Sequence, residues 1–301
     1  MKHVSPLRYP GGKASLSGFL TEVIDQNDLR GSVYYEPYAG GAGAALTLLK
    51  KNVVSQVYIN DADQRIFAFW QASLRESERF IDLIRTVPLT INEWRRQREI
   101  CTNPQAHEFF DVGFAAFYMN RCNRSGVLIG AGPIGGEEQA GVWRMDVRFN
   151  REELASRIAY LARARDRIHV FGLDAIAFLK NNLPKGNSRS KVFTYLDPPY
   201  VDNGQKLYFN AYKPKDHAFL TRYLSAQTKL PWLVSYDNHP LVRKLYAEHQ
   251  LSLRPIRYTL QEKRTAKELI IAPKRLALPD SYQNHGRATQ LQLFQVMENT
   301  K

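Results

Sequence analysis

Cysteine is nearly absent: the 301 residues contain two, Cys101 and Cys122. Two thiols cannot build a disulfide framework or a cysteine-based zinc site, so a reducing compartment is expected. No stretch stays apolar for the roughly 20 residues that a bilayer-spanning helix needs. The first residues, Met1-Lys2-His3-Val4, form no apolar signal region. A cytoplasmic protein with no membrane partner is expected. The seven histidines are scattered, and no His/Cys/Asp/Glu cluster has metal-ligand spacing, so no metal is expected. Internal repeats are also missing. Acid is scarce beside base: 29 Asp and Glu against 42 Lys and Arg leave a formal charge of +13. That balance favours a polyanionic partner.

What is present suits a globular protein with a sizeable core, at a length that implies a core domain plus an insertion. Its most informative stretch is Tyr195-Leu196-Asp197-Pro198-Pro199-Tyr200. A β-prone apolar run from Val192 ends in a carboxylate, two prolines and an aromatic. Proline has no amide donor and a fixed φ, so the strand must stop there. In open α/β sheets, ligands bind at the carboxyl ends of strands. Asp197, the carbonyls around Pro198 and Pro199, and the Tyr200 ring suit gripping an exocyclic amine and stacking on a purine.

A second strand-like run, Val33 to Glu36, leads into Pro37-Tyr38-Ala39-Gly40-Gly41-Ala42-Gly43 and then an apolar helix containing Leu46 and Leu49. The strand Gln56 to Asn60 follows, ending in Asp61. Loop, helix, strand and acid come in the order of a nucleotide-binding βαβ unit, in which the acid bonds ribose hydroxyls. The loop does not read Gly-x-Gly-x-x-Gly, which argues against a nicotinamide cofactor. Upstream, Tyr9-Pro10-Gly11-Gly12-Lys13 opens a helix. By itself it reads as a turn before a helix, or as a seat for an anion at a helix N-terminus.

Between about residues 67 and 165 the pattern turns mainly helical, with breaks near Pro88 and at Asn103-Pro104. After an apolar helix to Met119, Asn120-Arg121-Cys122-Asn123-Arg124-Ser125-Gly126 enters a Gly-rich segment, a hairpin or a loop. Trp143, Arg144, Arg148 and Phe149 follow, ahead of a basic helix from Arg151 to Arg167. Aromatics interleaved with arginines suit stacked bases and phosphates. The α/β pattern then resumes, with strands at 167–171, 192–196, 232–236, 253–258 and 268–272. A polar loop (201–215), a basic hairpin (261–267) and a polar tail (279–301) complete the chain.

In their order, Tyr9 to Lys13, Glu36 to Gly41, Asn60-Asp61, Asn120-Arg121 with Gly126, Arg148-Phe149-Asn150, Asp197 to Tyr200 and Ser235 to Asn238 are distinctive. With them the chain resembles the D12 (Dam-like, group α) DNA adenine-N6 methyltransferases from about residue 5 to 276. The resemblance implies a Rossmann-like α/β fold. The S-adenosylmethionine-binding domain would be discontinuous (1–66 and 166–278) and interrupted by a target-recognition insertion (67–165). It implies a monomer that acts on double-stranded DNA and flips out the target adenine. Asp197, Pro198, Pro199 and Tyr200 would be catalytic. Tyr9, Gly12, Lys13, Glu36, Tyr38, Gly40, Gly41, Gly43, Asp61 and Asp197 would line the cofactor. Asn120, Arg121, Arg124, Ser125, Arg144 and Arg148 would meet DNA. Arg124 and Ile129 stand where GATC-reading members carry an aromatic and an arginine, so GATC is not carried over. Related sites on RNA adenine or cytosine N4, or a DNA-binding relative without catalysis, are the alternatives.

Overall fold

The computed structural model describes residues 4–8, 13–201, 212–258 and 264–279. The expectations for Tyr9, Gly12, Tyr208, Phe209 and the tail from residue 280 fall outside these residues. Seven strands form one sheet in the order β3-β2-β1-β4-β5-β7-β6. They are β1 (Val33–Glu36), β2 (Gln56–Asn60), β3 (Ile168–Phe171), β4 (Val192–Leu196), β5 (Trp232–Asp237), β6 (Gln250–Tyr258) and β7 (Arg264–Ala272). The first five run parallel, while β7 inserts antiparallel between β5 and β6. The order turns back between β1 and β4, which makes that crevice the switch point where open α/β sheets take their ligands. All five residues of β4 are buried, as a central parallel strand covered on both faces requires. The last two strands are longer than their sequence pattern suggested, because each completes the other's backbone ladder from Gln250↔Ala272 to Tyr258↔Arg264.

The helices are α1 (Ser17–Gln26), α2 (Gly43–Lys50), α3 (Gln64–Arg75), α4 (Ser77–Thr86), α5 (Ile91–Thr102), α6 (Phe109–Cys122), α7 (Arg151–Arg163), α8 (Ala175–Asn182), α9 (Pro214–Ser225) and α10 (Pro240–Leu245). Local chemistry sets several starts: Asp63, Thr90, Asn150 and Asp174 each accept a backbone N–H from the first turn they cap. Pro88 and Pro104 mark the two breaks, just after α4 and α5.

Helices α3 to α7 lie between β2 and β3 in the chain and share one hydrophobic core with α1, α2 and a face of the sheet. Phe80 meets Phe69, Phe114 and Phe117 edge-on there, while Phe69 stacks parallel to Phe117. Helix α6 approaches α3 so closely that a Cβ on Gly113 would lie 2.5 Å from the Ala68 carbonyl oxygen. A second core covers the opposite face, with Phe178, Trp232, Tyr236 and Tyr246. The Gly-rich segment contains no strand; a single antiparallel bridge, Asn123↔Pro133, closes it into a loop.

Candidate active site

The carboxyl ends of β2, β1 and β4 lie side by side, about 4.8 Å apart per strand. They bring Asp61, the glycine loop and Asp197 to one edge. Asn60 secures that edge: its amide donates to the carbonyls of Pro37 and Leu173 at 2.9 Å each and accepts Leu173 N–H at 2.9 Å. The loop after β1 turns through Gly40 (φ 46°) and Ala42 (φ 47°), left-handed conformations that cost Gly40 little. Asp61 accepts the Gly40 N–H at 2.9 Å, and the buried Trp70 indole donates to the Gly40 carbonyl at 2.9 Å. Gly43 allows α2 to start against the Lys13 turn, because a Cβ there would lie 3.2 Å from that of Ala14.

Glu36 is buried (3% exposed) and accepts the Ala45 N–H at 3.2 Å. Burial, reinforced by the Asp197 charge, pushes its carboxyl up to about 8. Burial likewise pushes Asp61 up to about 7, opposed by the N–H groups of Asp63 and Gly40. Glu36 therefore supports the loop from beneath. Asp61 keeps partial exposure and presents its carboxylate at the edge.

Beyond β4, Asp197 is 17% exposed and receives the Ser235 hydroxyl on Oδ1 at 2.9 Å. Ser235 is in turn 2.7 Å from the Tyr195 hydroxyl. Lys13, buried at 5% exposure, sets its Nζ 3.3 Å from the same Oδ1, 2.6 Å from Glu268 Oε1 and 2.6 Å from the Tyr200 hydroxyl. Tyr200 donates to Glu268 Oε1 at 2.6 Å, and the Lys13 ammonium lies 5.2 Å from its ring centre. The contacts that Ser235, Lys13 and Tyr200 make with Asp197 all fall on Oδ1. Burial and Glu268 raise the Asp197 carboxyl while Lys13 lowers it; burial is the largest effect, and the result is about 6. The edge thus joins a carboxylate suited to a diol, a glycine turn, an ammonium suited to a carboxylate, and an acceptor beside an aromatic face.

Lys13, Tyr38, Gly40, Gly41, Gly43, Asp61 and Asp197 to Tyr200 gather around this edge. Tyr38 points its hydroxyl at that of Tyr212, 2.6 Å away, just before α9. Three residues were not anticipated. Glu268 lies 255 positions from Lys13 and reaches it through the antiparallel insertion of β7, which no local pattern signals. Tyr212 was read as part of a loop. Ser235 belongs to a motif already noted, Ser235 to Asn238, but its bond to Asp197 depends on β4 and β5 being neighbours. His239, in that motif's turn, accepts Leu241 N–H as the cap of α10.

The residues expected to meet DNA divide into two groups. Arg124, Arg144 and Arg148 are exposed, Ser125 is partly so, and Trp143 beside them is 67% exposed. Asn120 and Arg121 are interior. Asn120 accepts Arg8 N–H at 2.7 Å and donates to the carbonyls of Arg8 (2.6 Å) and Gly126 (2.9 Å). Arg121 donates to the carbonyls of Arg148 (2.8 Å) and Pro6 (3.3 Å). Burial and the nearby Arg157 and Arg8 lower its guanidinium to about 9. Buried polar groups with all their bonds inside the protein position the chain rather than read a ligand. These two fasten residues 6–8, just ahead of Lys13, to α6.

A family model described as D12 class N6 adenine-specific DNA methyltransferase matches residues 9–264. No curated protein matches the chain.

Proposed function

The chain belongs to the D12 class of N6 adenine-specific DNA methyltransferases, and from that membership we propose that it methylates a flipped-out adenine in duplex DNA with S-adenosylmethionine as donor. The residues present suit that cofactor. Asp61 offers a carboxylate to the ribose hydroxyls, the turn at Gly40 to Gly43 brings backbone close, and Lys13, paired with Glu268, stands where the family's cofactor-binding lysine is expected. S-adenosylmethionine bound there supplies an electrophilic methyl group carried on a sulfonium.

The chain's own residues do the rest. Adenine N6 is a poor nucleophile because its lone pair is delocalised into the ring, and the base must first leave the stack at a cost of a few kcal/mol. In this reading Tyr200 stacks on the extruded base, while Asp197 Oδ2 and the Pro198 carbonyl accept the two N6 hydrogens. Accepting both draws the nitrogen towards tetrahedral geometry and frees the lone pair. Positioning and fixed electrostatics supply most of the rate. Asp197 need not be a strong base, because the proton on N6 becomes acidic once the methyl has arrived. Arg124, Arg144 and Arg148, with Trp143, supply the exposed basic and aromatic face for duplex, and α3 to α7 act as the target-recognition insertion.

The observation that carries this reading is Asp197: mostly shielded, 17% exposed, at the switch point, held on Oδ1 by Ser235 and beside Tyr200. Nucleoside mass spectrometry of DNA from cells expressing the protein tests it. N6-methyladenine is expected; N4-methylcytosine alone, or no modified base despite soluble protein, would refute it.

A further inference from the structure

Lys13 faces two carboxylates at unequal distances. Its ammonium lies 2.6 Å from Glu268 and 3.3 Å from Asp197. Charge-assisted hydrogen bonds are strongest at short separations, and the 3.3 Å contact is already beyond the usual range for such a bond. The Tyr200 hydroxyl makes the same choice, 2.6 Å from Glu268 and 3.5 Å from Asp197. Glu268 is 2% exposed and sits on β7 opposite Asp237, at the carboxyl end of β5. A buried carboxylate is costly unless paired, and Lys13 is a partner of Glu268.

We propose that Glu268 is a positioning residue of the catalytic centre: it holds the Lys13 ammonium and the Tyr200 hydroxyl away from Asp197, so that the Asp197 carboxylate stays free to accept the substrate amine. This rests on the reading of Asp197 as the acceptor. The distances set both the Lys13 ammonium and the Tyr200 hydroxyl closer to Glu268 than to Asp197. Without Glu268, Lys13 closes on Asp197, the acceptor is neutralised, and Tyr200 loses the bond that sets its ring. The other charged or titratable groups around the cluster are Tyr195 on β4, Asp237 on β5, Glu36 at the end of β1, and Arg254 on β6, opposite Glu268 in the ladder. The Arg254 guanidinium lies 4.4 Å from the centre of the Phe19 ring.

The test uses the full chain carrying Glu268→Gln, with single-turnover methyl transfer to duplex DNA followed across pH and Tm measured alongside. The expected result is a rate at least tenfold below wild type with Tm little changed. The ascending limb of the pH profile should move to lower pH, because Glu268 raises the Asp197 carboxyl and Lys13 lowers it. A wild-type rate and profile overturns the proposal, as does a rate loss accompanied by an equal Tm loss and an unmoved limb. Should Glu268→Gln fail to fold, Glu268→Asp decides. Its retracted carboxylate loosens the hold on Lys13, so a reduced rate supports the proposal and a wild-type rate overturns it. Wild-type enzyme run in parallel separates the two readings: if it transfers no methyl to adenine, the acceptor role itself has failed.

Discussion

Replacing Asp197 by Asn tests the acceptor geometry more sharply than removing the side chain. The Oδ1 position receives the Ser235 hydroxyl at 2.9 Å and faces the Lys13 ammonium at 3.3 Å, so the amide carbonyl of Asn must occupy it. The amide nitrogen then takes the Oδ2 position and turns a donor towards the N6 amine, itself a donor there. The change loses a charge-assisted hydrogen bond, about 1.5–3 kcal/mol, and adds a desolvated donor without a partner, about 1–3 kcal/mol. Together these give about 4 kcal/mol, or roughly a thousandfold in rate. The assay is single-turnover transfer of labelled methyl to duplex DNA, with cofactor affinity measured by calorimetry on the same preparation. Asp197→Asn should lose about three orders of magnitude in transfer while binding cofactor within a few-fold of wild type. Transfer within tenfold of wild type would refute the acceptor role.

Asn120→Ala removes the partner of Arg8 N–H, Arg8 C=O and Gly126 C=O, each worth about 1–3 kcal/mol if left unsatisfied. Tm should fall by several degrees, and an unchanged Tm would show that the N-terminal segment is not anchored there. Arg144→Ala should leave Tm unchanged but lower the slope of log affinity against log salt by about 0.9, provided Arg144 meets a phosphate; an identical slope would remove it from the interface. Glu36 gives a pH signature in stability. Its carboxyl rises from 4.5 to about 8 on folding, so its contribution is fully present below about 4.5 and lost as pH rises through about 8. Glu36→Gln should therefore gain on wild type in denaturant midpoint from pH 5 to pH 8, and a difference constant across that range would contradict the burial effect.

The order of motifs made the strand–glycine loop–helix–strand unit and the strand ending at Asp197 legible, because each is a short strand ending in a residue that must stop it. Helix boundaries were also legible at the start at Arg151 and at the breaks near Pro88 and Pro104. Asn120 and Arg121 were placed at the DNA by the family resemblance, as part of a motif that includes Gly126. The fold instead buries them, since the segment before Lys13 crosses α6 there and its backbone groups need partners.

From the sequence alone came the residue types, their alternation and their punctuation, which set strands, helices and the two strand-end acids. The tertiary structure decided which charges meet. Glu268 reaches Lys13 because β7 runs antiparallel beside β5, and Asn120 meets Arg8 across 112 positions because α6 crosses the N-terminal segment. Long-range pairing follows from how layers stack and which buried groups must be satisfied, and neither is written in any local window of the chain.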